Sequence, residues 1–158
     1  MSREMRLRRS LELEDAWAIR DYCPSVEVVS PGVRAPMFLA KAKYRSEEVD
    51  SPRVRGVFPD NVEVANRVLE DGRFFTDKEN QHAAPVAVLG HATASALFPT
   101  GGGVGKEILL AGHQYTVIGT LEKRREGPFG AQNEEDEMIF VPYYTVRRFY
   151  PGADDHFI

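Results

Sequence analysis

The chain has 158 residues, of which 42% are hydrophobic and 28% are charged, and its formal net charge at pH 7 is −4. This length suits one domain or two small lobes and can bury a core. The mildly acidic charge balance gives no electrostatic footprint for nucleic acid, and no apolar run reaches the roughly 18 residues of a membrane helix. These features predict a soluble cytoplasmic protein, or a soluble part cut from a larger membrane chain.

The N-terminal third predicts one helix followed by two strands. Residues 10–23 have helical spacing of apolar positions and acids in the first turn, and Pro24 stops the helix. Residues 26–36 and 53–58 alternate as strands do. The polar segment Arg45 to Pro52 between them predicts a loop.

The middle of the chain predicts a buried strand, a short helix and a β-hairpin. The run PVAVLG is apolar throughout, HATASALF suits a helix that ends at Pro99, and a Gly-X pair separates two strand-like runs. Glu70-Asp71-Gly72 predicts a turn. The predicted elements are the strand 85–90, the helix 91–98, the hairpin strands 107–111 and 114–121, and the hairpin turn Gly112-His113.

The C-terminal part predicts a charged loop, a strand and a helix. Residues 123–137 are polar and contain the run NEEDE, residues 137–141 are apolar, and Pro142 suits the first turn of a helix. Because the strands come singly and in hairpins with few helices between them, the sequence predicts a mixed α+β fold.

The stretch FPTGGGVGKEI at 98–108 invites comparison with a phosphate-binding P-loop. A P-loop requires its first glycine where this chain has Thr100, and a hydroxyl that binds magnesium where this chain has Glu107. A helix also precedes the glycines and a strand follows them, which is the reverse of the P-loop context. We therefore expect a turn in which glycines supply positive φ, and no nucleotide site.

Other candidate sites are weak. The acids Glu134 to Glu137 lack the ligand spacing of a calcium loop, which favours a solvated acidic loop, and no serine lies in a nucleophile elbow. Cys23 fits a buried small side chain better than a reactive thiol. The cluster formed by Arg6, Arg8 and Arg9 fits contact with a membrane or an acidic partner and fits a frayed terminus equally.

Histidines give no metal-binding spacing. They are far apart, so scattered surface positions are the favoured interpretation, although a zinc site could still assemble in space. The four are His82, His91, His113 and His156. We expect no catalytic residue, no cofactor-binding residue and no metal ligand in this chain.

Six segments, in order, resemble the extracytoplasmic core domain of MacB-type ABC-transporter permeases, within the FtsX-like permease group. The resemblance covers nearly the whole chain from about Leu11 and depends on the order and spacing of the segments. They are LELEDAWAIRDYCPSVEVVSPGV, VRGVFPDNVEV, EDGRFFTDKE, APVAVLGHATASALFP, VGKEILLAGHQYTVIGTLEKR and FGAQNEEDEMIFVPYYTVRR.

The resemblance implies a two-lobed domain that faces the periplasm of an inner-membrane protein. A porter-like α/β lobe would comprise residues 1–58 and 128–158, and a mostly-β, sabre-like lobe would be inserted at 59–127. The family's flanking membrane helices and cytoplasmic ATPase are absent from this chain, and the family continues beyond residue 158. The resemblance therefore implies a soluble fragment with an incomplete porter lobe, and an exposed sheet edge is expected there.

The function implied by the resemblance is mechanical and not catalytic. The domain would transmit ATP-driven motion of the membrane helices to a substrate or a periplasmic adaptor during export, lipoprotein release or signalling. Its partners would be its own membrane helices, a cytoplasmic ATPase, a second permease copy and an adaptor, and not nucleic acid. Two alternatives are a small soluble module that binds a ligand or peptide, and an enzyme that binds nucleotide at the glycine-rich turn.

Overall fold

The computed structural model describes residues 13–23, 30–35, 41–124, 134–151 and 155–157. Within these ranges it contains ten strands, five α-helices and one 3-10 helix. The helices are α1 Leu13–Tyr22, α2 Asn61–Val64, α3 Asp77–Gln81, α4 His91–Leu97 and α5 Tyr143–Phe149, and the 3-10 helix is Glu134–Glu137. The strands are β1 Pro31–Arg34, β2 Lys41–Tyr44, β3 Glu47–Asp50, β4 Arg53–Val57, β5 Leu69–Gly72, β6 Val86–Leu89, β7 Glu107–Leu110, β8 His113–Leu121, β9 Met138–Pro142 and β10 Asp155–Phe157.

All the described strands belong to one hydrogen-bonded sheet. Its order is β10-β1-β4-β9-β6-β8-β7-β2-β3, and β5 pairs with β8 beside β7. The pairs β4–β9 and β6–β8 are parallel, whereas the others are antiparallel. The mixed α+β class predicted from the sequence is confirmed. Strands from 1–58, 59–127 and 128–158 all lie in this sheet, and the division of these ranges into two lobes stays a prediction.

Each face of the sheet carries a hydrophobic core. Strand β9 is buried on both faces because Ile139 packs into one cluster and Phe140 into the other. The first cluster includes Val33, Leu97 and Tyr115 and is packed against α4 and α5; the second includes Val57, Phe74 and Phe75. Successive residues of β6 and β9 point to opposite faces of the sheet. Because both faces are buried, each of these strands is a continuous apolar run in the sequence.

The predicted loop at 45–52 is wrong, because β2 and β3 form a hairpin there. Lys41 Nζ lies 2.9 Å from Glu48 Oε2, and Val49 packs against the core from the otherwise polar strand. Such alternation of charged and apolar side chains is typical of an edge strand. Arg45 has a φ of 53° at the two-residue turn between the strands.

Two predicted turns are also wrong. Glu70-Asp71-Gly72 lies in β5, which pairs with β8 through a register shift. In the β7–β8 hairpin, Leu110 pairs with His113, so the turn residues are Ala111 and Gly112 and not Gly112-His113. Their φ values of 51° and 86° suit a type I′ turn, which requires positive φ at both central positions.

Several other predicted elements are confirmed, with ends shifted by a few residues, whereas β2, β10, α2 and α3 were not predicted. Helix α1 lies inside the range 10–23, β4 inside 53–58, β6 inside 85–90 and α4 inside 91–98. Pro142 is the residue that caps α5. The predicted strand residues 26–29 and 36, the N-terminal arginine cluster and the loop residues 125–133 lie outside the described residues.

Candidate functional site

A buried arginine lies where the middle of the chain meets its C-terminal part. Arg67 comes shortly after α2, and its side chain is only 1% exposed. Its Nε donates to Asn61 Oδ1 at 2.9 Å, and its Nη1 donates to Glu135 Oε2 at 3.1 Å. The guanidinium carbon lies 4.0 Å from the centroid of the Phe140 ring. Arg67 therefore joins the α2 segment to the 3-10 helix and to β9 at once.

Arg124, which follows β8, completes this junction. Its Nε lies 2.9 Å from the same Glu135 Oε2, its backbone N donates to Asp136 Oδ1 at 3.0 Å, and its Nη2 donates to the Ala65 carbonyl. One glutamate of the 3-10 helix thus bridges two arginines from the 59–127 range. We call this set (Arg67, Arg124, Glu135 and Asp136) the arginine–glutamate junction.

Burial and a neighbouring charge have opposite effects on the pKa of Arg67 at the junction. Desolvation lowers the pKa of Arg67, and the nearby Glu135 carboxylate raises it. A guanidinium stays charged in proteins, so the junction holds a buried cation that depends on its carboxylate. Within the part of the chain that the structure describes, Arg67 Nη2 and Asn61 Nδ2 have no hydrogen-bond partner. A cleft of about 560 Å³ adjoins the junction, whose four residues are among those that line it.

Gly90 allows the 3-10 helix to approach the sheet closely. Its backbone N donates to the Met138 carbonyl at 2.8 Å. A Cβ at this position would lie 2.6 Å from the carbonyl oxygens of both Glu135 and Asp136. Contacts this short are far inside van der Waals distance, so the packing at position 90 requires glycine.

The prediction of a solvated acidic loop at 134–137 is wrong for part of this run. Glu134 is exposed and forms an ion pair with Arg53 at 3.0 Å, whereas Asp136 is buried and Glu135 is held between two arginines. A run of four acids looks uniform in the sequence. Only the 3-10 helix separates those that face solvent from those that face the junction.

The glycine-rich stretch is a turn from helix to strand, as predicted. It lies between α4 and β7, and Gly101, Gly102 and Gly105 have positive φ. The amides of Gly101 and Gly105 donate to the carbonyls of Phe98 and Val117, so they are already engaged within the protein. The hollow beside the turn is also lined by two acids of β5, Glu70 and Asp71, which would repel phosphate.

The other candidates from the sequence are not brought together. His82 Nδ1 lies 2.7 Å from the Lys78 carbonyl, His91 Nδ1 lies 3.6 Å from Glu70, and the His113 ring stacks on Phe149 at 4.2 Å. Among the described residues, no three potential metal ligands form a group. The side chain of His156 lies outside what the structure describes. Cys23 follows α1 and is half-buried, so the prediction of a buried helical residue is only partly right.

The chain is similar to known proteins along nearly its whole length. A sequence profile for the MacB-like periplasmic core domain matches residues 2–157. The chain belongs to this family. Over 139 residues, this MacB-like periplasmic core domain is 31% identical to the macrolide export ATP-binding/permease protein MacB of Azoarcus sp. (strain BH72), covering 87% of the chain and 21% of that protein. It is 25% identical over 138 residues to the pyoverdine export ATP-binding/permease protein PvdT of Pseudomonas aeruginosa, covering 72% of the chain and 20% of that protein.

Solved structures share the fold of this MacB-like domain. The periplasmic region of MacB from Actinobacillus actinomycetemcomitans superposes with a TM-score of 0.75 at 19% identity, covering 97% of this chain and 64% of that one. The extracellular domain of the transporter YknZ from Gram-positive bacteria gives a TM-score of 0.71 at 22% identity, covering 99% of this chain and 76% of that one. The chain spans only about a fifth of the full-length curated relatives described above. No helix among the described residues is both long and apolar enough to cross a membrane.

Proposed function

We propose that this chain is the extracytoplasmic, non-catalytic part of an ABC-transporter permease subunit that transmits ATP-driven motion of membrane helices to a substrate or adaptor protein. The process served is export, lipoprotein release or signalling. The observation that carries the proposal is the family match over residues 2–157. The relatives named as ATP-binding/permease proteins for macrolide and pyoverdine export support a role in transport.

Transmission of motion requires stiff parts joined by defined contacts. The continuous sheet supplies stiffness. Its strand β9 is buried on both faces and pairs with β4 along one edge and with β6 along the other. The arginine–glutamate junction supplies a defined contact between the 59–127 range and the C-terminal part. We infer that the junction stays intact while the domain moves. When the junction is broken, less of the motion reaches the substrate or adaptor.

The partners follow from the same proposal. Membrane helices of the same subunit would drive the domain, and a cytoplasmic ATPase would power those helices. A second permease copy and a periplasmic adaptor are further proposed partners. The substrate is proposed only as a class, by analogy with the export proteins. It is a molecule exported across the inner membrane.

Thiol labelling of the full-length protein tests the proposed location. In a Cys23→Ser background, Ser95→Cys places a thiol on the exposed face of α4. We expect a membrane-impermeant maleimide to label this thiol in intact spheroplasts, and the Cys23→Ser protein to stay unlabelled at this domain. Labelling that occurs only after lysis would place the domain in the cytoplasm and refute the proposal.

A further inference from the structure

Three arginines lie on one face of the sheet, on the two neighbouring strands β1 and β4. Arg34 pairs directly with Arg55 in the antiparallel register, and Arg53 lies two residues before Arg55 on the same face. Directly opposite residues in an antiparallel pair have Cβ atoms about 4.5–5.5 Å apart, and like charges placed there repel each other. This arrangement therefore destabilises the sheet unless something neutralises it.

The described residues neutralise only one of the three. Arg53 Nη1 forms an ion pair with Glu134 Oε2 at 3.0 Å. Within the described ranges, neither Arg34 nor Arg55 forms a hydrogen bond or an ion pair through its guanidinium. Burial and the neighbouring Arg34 both lower the pKa of Arg55, and the charge of Glu135 only partly offsets them.

These three side chains line a cleft of about 520 Å³. Ala35 and Met138 also line it, and Glu134 and Glu137 supply its only described carboxylates. Among the described residues that line the cleft, three arginines and two glutamates leave an excess positive charge. The arginine–glutamate junction differs, because there Glu135 already bridges both arginines.

We propose that this cleft binds a phosphate group, with Arg34 and Arg55 as its direct ligands. Guanidinium groups bind phosphate through paired N–H donors, and a doubly charged phosphate neutralises two arginines at once, whereas a single carboxylate neutralises one. Two kinds of molecule offer this chemistry, a free phosphorylated compound and a phospholipid headgroup. The inference goes beyond transmission of motion and concerns what the domain holds.

Thermal unfolding of the 158-residue chain tests the site. Inorganic pyrophosphate is the probe, and sodium chloride at matched ionic strength is its control. At a hundredfold excess over Kd, we expect pyrophosphate to raise Tm by about 5–10 °C, with saturation. Arg34→Gln, an exposed position, should weaken pyrophosphate binding by about 10–100-fold, as should Arg55→Gln.

A matched control separates the site from general charge. Arg148→Gln removes an exposed arginine of α5 that does not line the cleft, and it should leave pyrophosphate binding unchanged. A wild-type Tm that pyrophosphate does not raise beyond chloride overturns the proposal. A rise that persists in Arg34→Gln overturns it too, because the ligand then binds elsewhere.

Vesicle sedimentation distinguishes the two sources of phosphate. Vesicles of phosphatidylglycerol in phosphatidylcholine are compared with phosphatidylcholine alone, and each with Arg34→Gln. Arginine-dependent binding to phosphatidylglycerol supports a lipid headgroup, and pyrophosphate binding without vesicle binding supports a free phosphorylated compound. Vesicle binding that Arg34→Gln leaves unchanged counts against the cleft as the lipid site.

Discussion

Glu135→Ala tests the energetics of the arginine–glutamate junction most sharply. The substitution removes the carboxylate that contacts both Arg67 and Arg124. Arg67 would keep its hydrogen bond to Asn61 and its contact with the Phe140 ring. Its guanidinium would nevertheless stay buried, with a side chain 1% exposed and no carboxylate in contact.

The expected loss of stability follows from this burial. Removal of one partner from a buried ion pair costs about 3–5 kcal/mol, because the remaining charge stays uncompensated. Glu135 itself is 27% exposed, so water reaches part of the site, and we take the lower end, about 3 kcal/mol. The neighbouring Glu134 is 75% exposed and pairs with Arg53 at the surface, where such a pair contributes about 0–1 kcal/mol.

Urea unfolding followed by circular dichroism measures both effects. With an m-value of about 2 kcal/mol/M, Glu135→Ala should lower the midpoint by about 1.5 M and Glu134→Ala by at most about 0.5 M. The double variant Arg67→Met/Glu135→Ala removes the orphaned charge as well. It should be more stable than Glu135→Ala alone, since an apolar side chain replaces a buried unpaired cation.

Two results would refute this reasoning. If Glu135→Ala is as mild as Glu134→Ala, the junction does not stabilise the fold. If Arg67→Met destabilises the Glu135→Ala protein further by its full single-variant effect, the two residues do not interact energetically.

The remaining predictions concern other parts of the chain. Gly90→Ala should destabilise the domain by about 2–3 kcal/mol in urea unfolding, because its Cβ would meet two carbonyl oxygens, whereas Gly101→Ala has open space and should lose only about 1 kcal/mol for its positive φ. The hydrogen bond from Arg73 holds the pKa of Glu79 below its ordinary value of 4.5, so this pair stabilises the fold above that value and ceases to do so as pH falls through the lowered one. The unfolding free energy of Glu79→Gln should consequently fall less than that of the wild type between about pH 5 and pH 2; equal slopes would count against this pair. Lys106→Ala should fold normally, and calorimetric ATP titration should give only heat of dilution for both proteins; saturable wild-type binding that the variant loses would restore a nucleotide site.

Elements with strong local signals could be predicted from the sequence. The apolar runs of β6 and β9, the helix α4 and the β7–β8 hairpin all follow from residue patterns that a single segment contains. The glycine-rich turn is another such case, since helix and strand flank it as the sequence indicates. Membership of the family was also predictable, because it depends on several segments in order.

Elements stabilised by distant partners could not be predicted. Strand β3 is polar and forms because Val49 reaches the core and Lys41 pairs with Glu48 across the hairpin. Strand β5 looks like a turn and forms because β8 offers it a free edge. Tertiary pairing overrides local propensity in both cases.

The arginine–glutamate junction was missed for the same reason. Arg67 and Glu135 are 68 positions apart, and nothing in either local sequence distinguishes them from exposed charges. Gly90 carries a weak signal, as a glycine between a buried strand and a helix. The close carbonyl oxygens that require it come from the 3-10 helix far along the chain.

Coupling in the full-length transporter tests the central claim, that this domain transmits motion through a stiff junction. The measurement is the ratio of substrate exported to ATP hydrolysed, for wild type, Glu135→Ala and the surface control Glu134→Ala, at a temperature where all three stay folded. Glu135→Ala should keep ATP hydrolysis but lower the ratio, while Glu134→Ala should match the wild type. An unchanged ratio in a folded Glu135→Ala transporter would contradict the central claim.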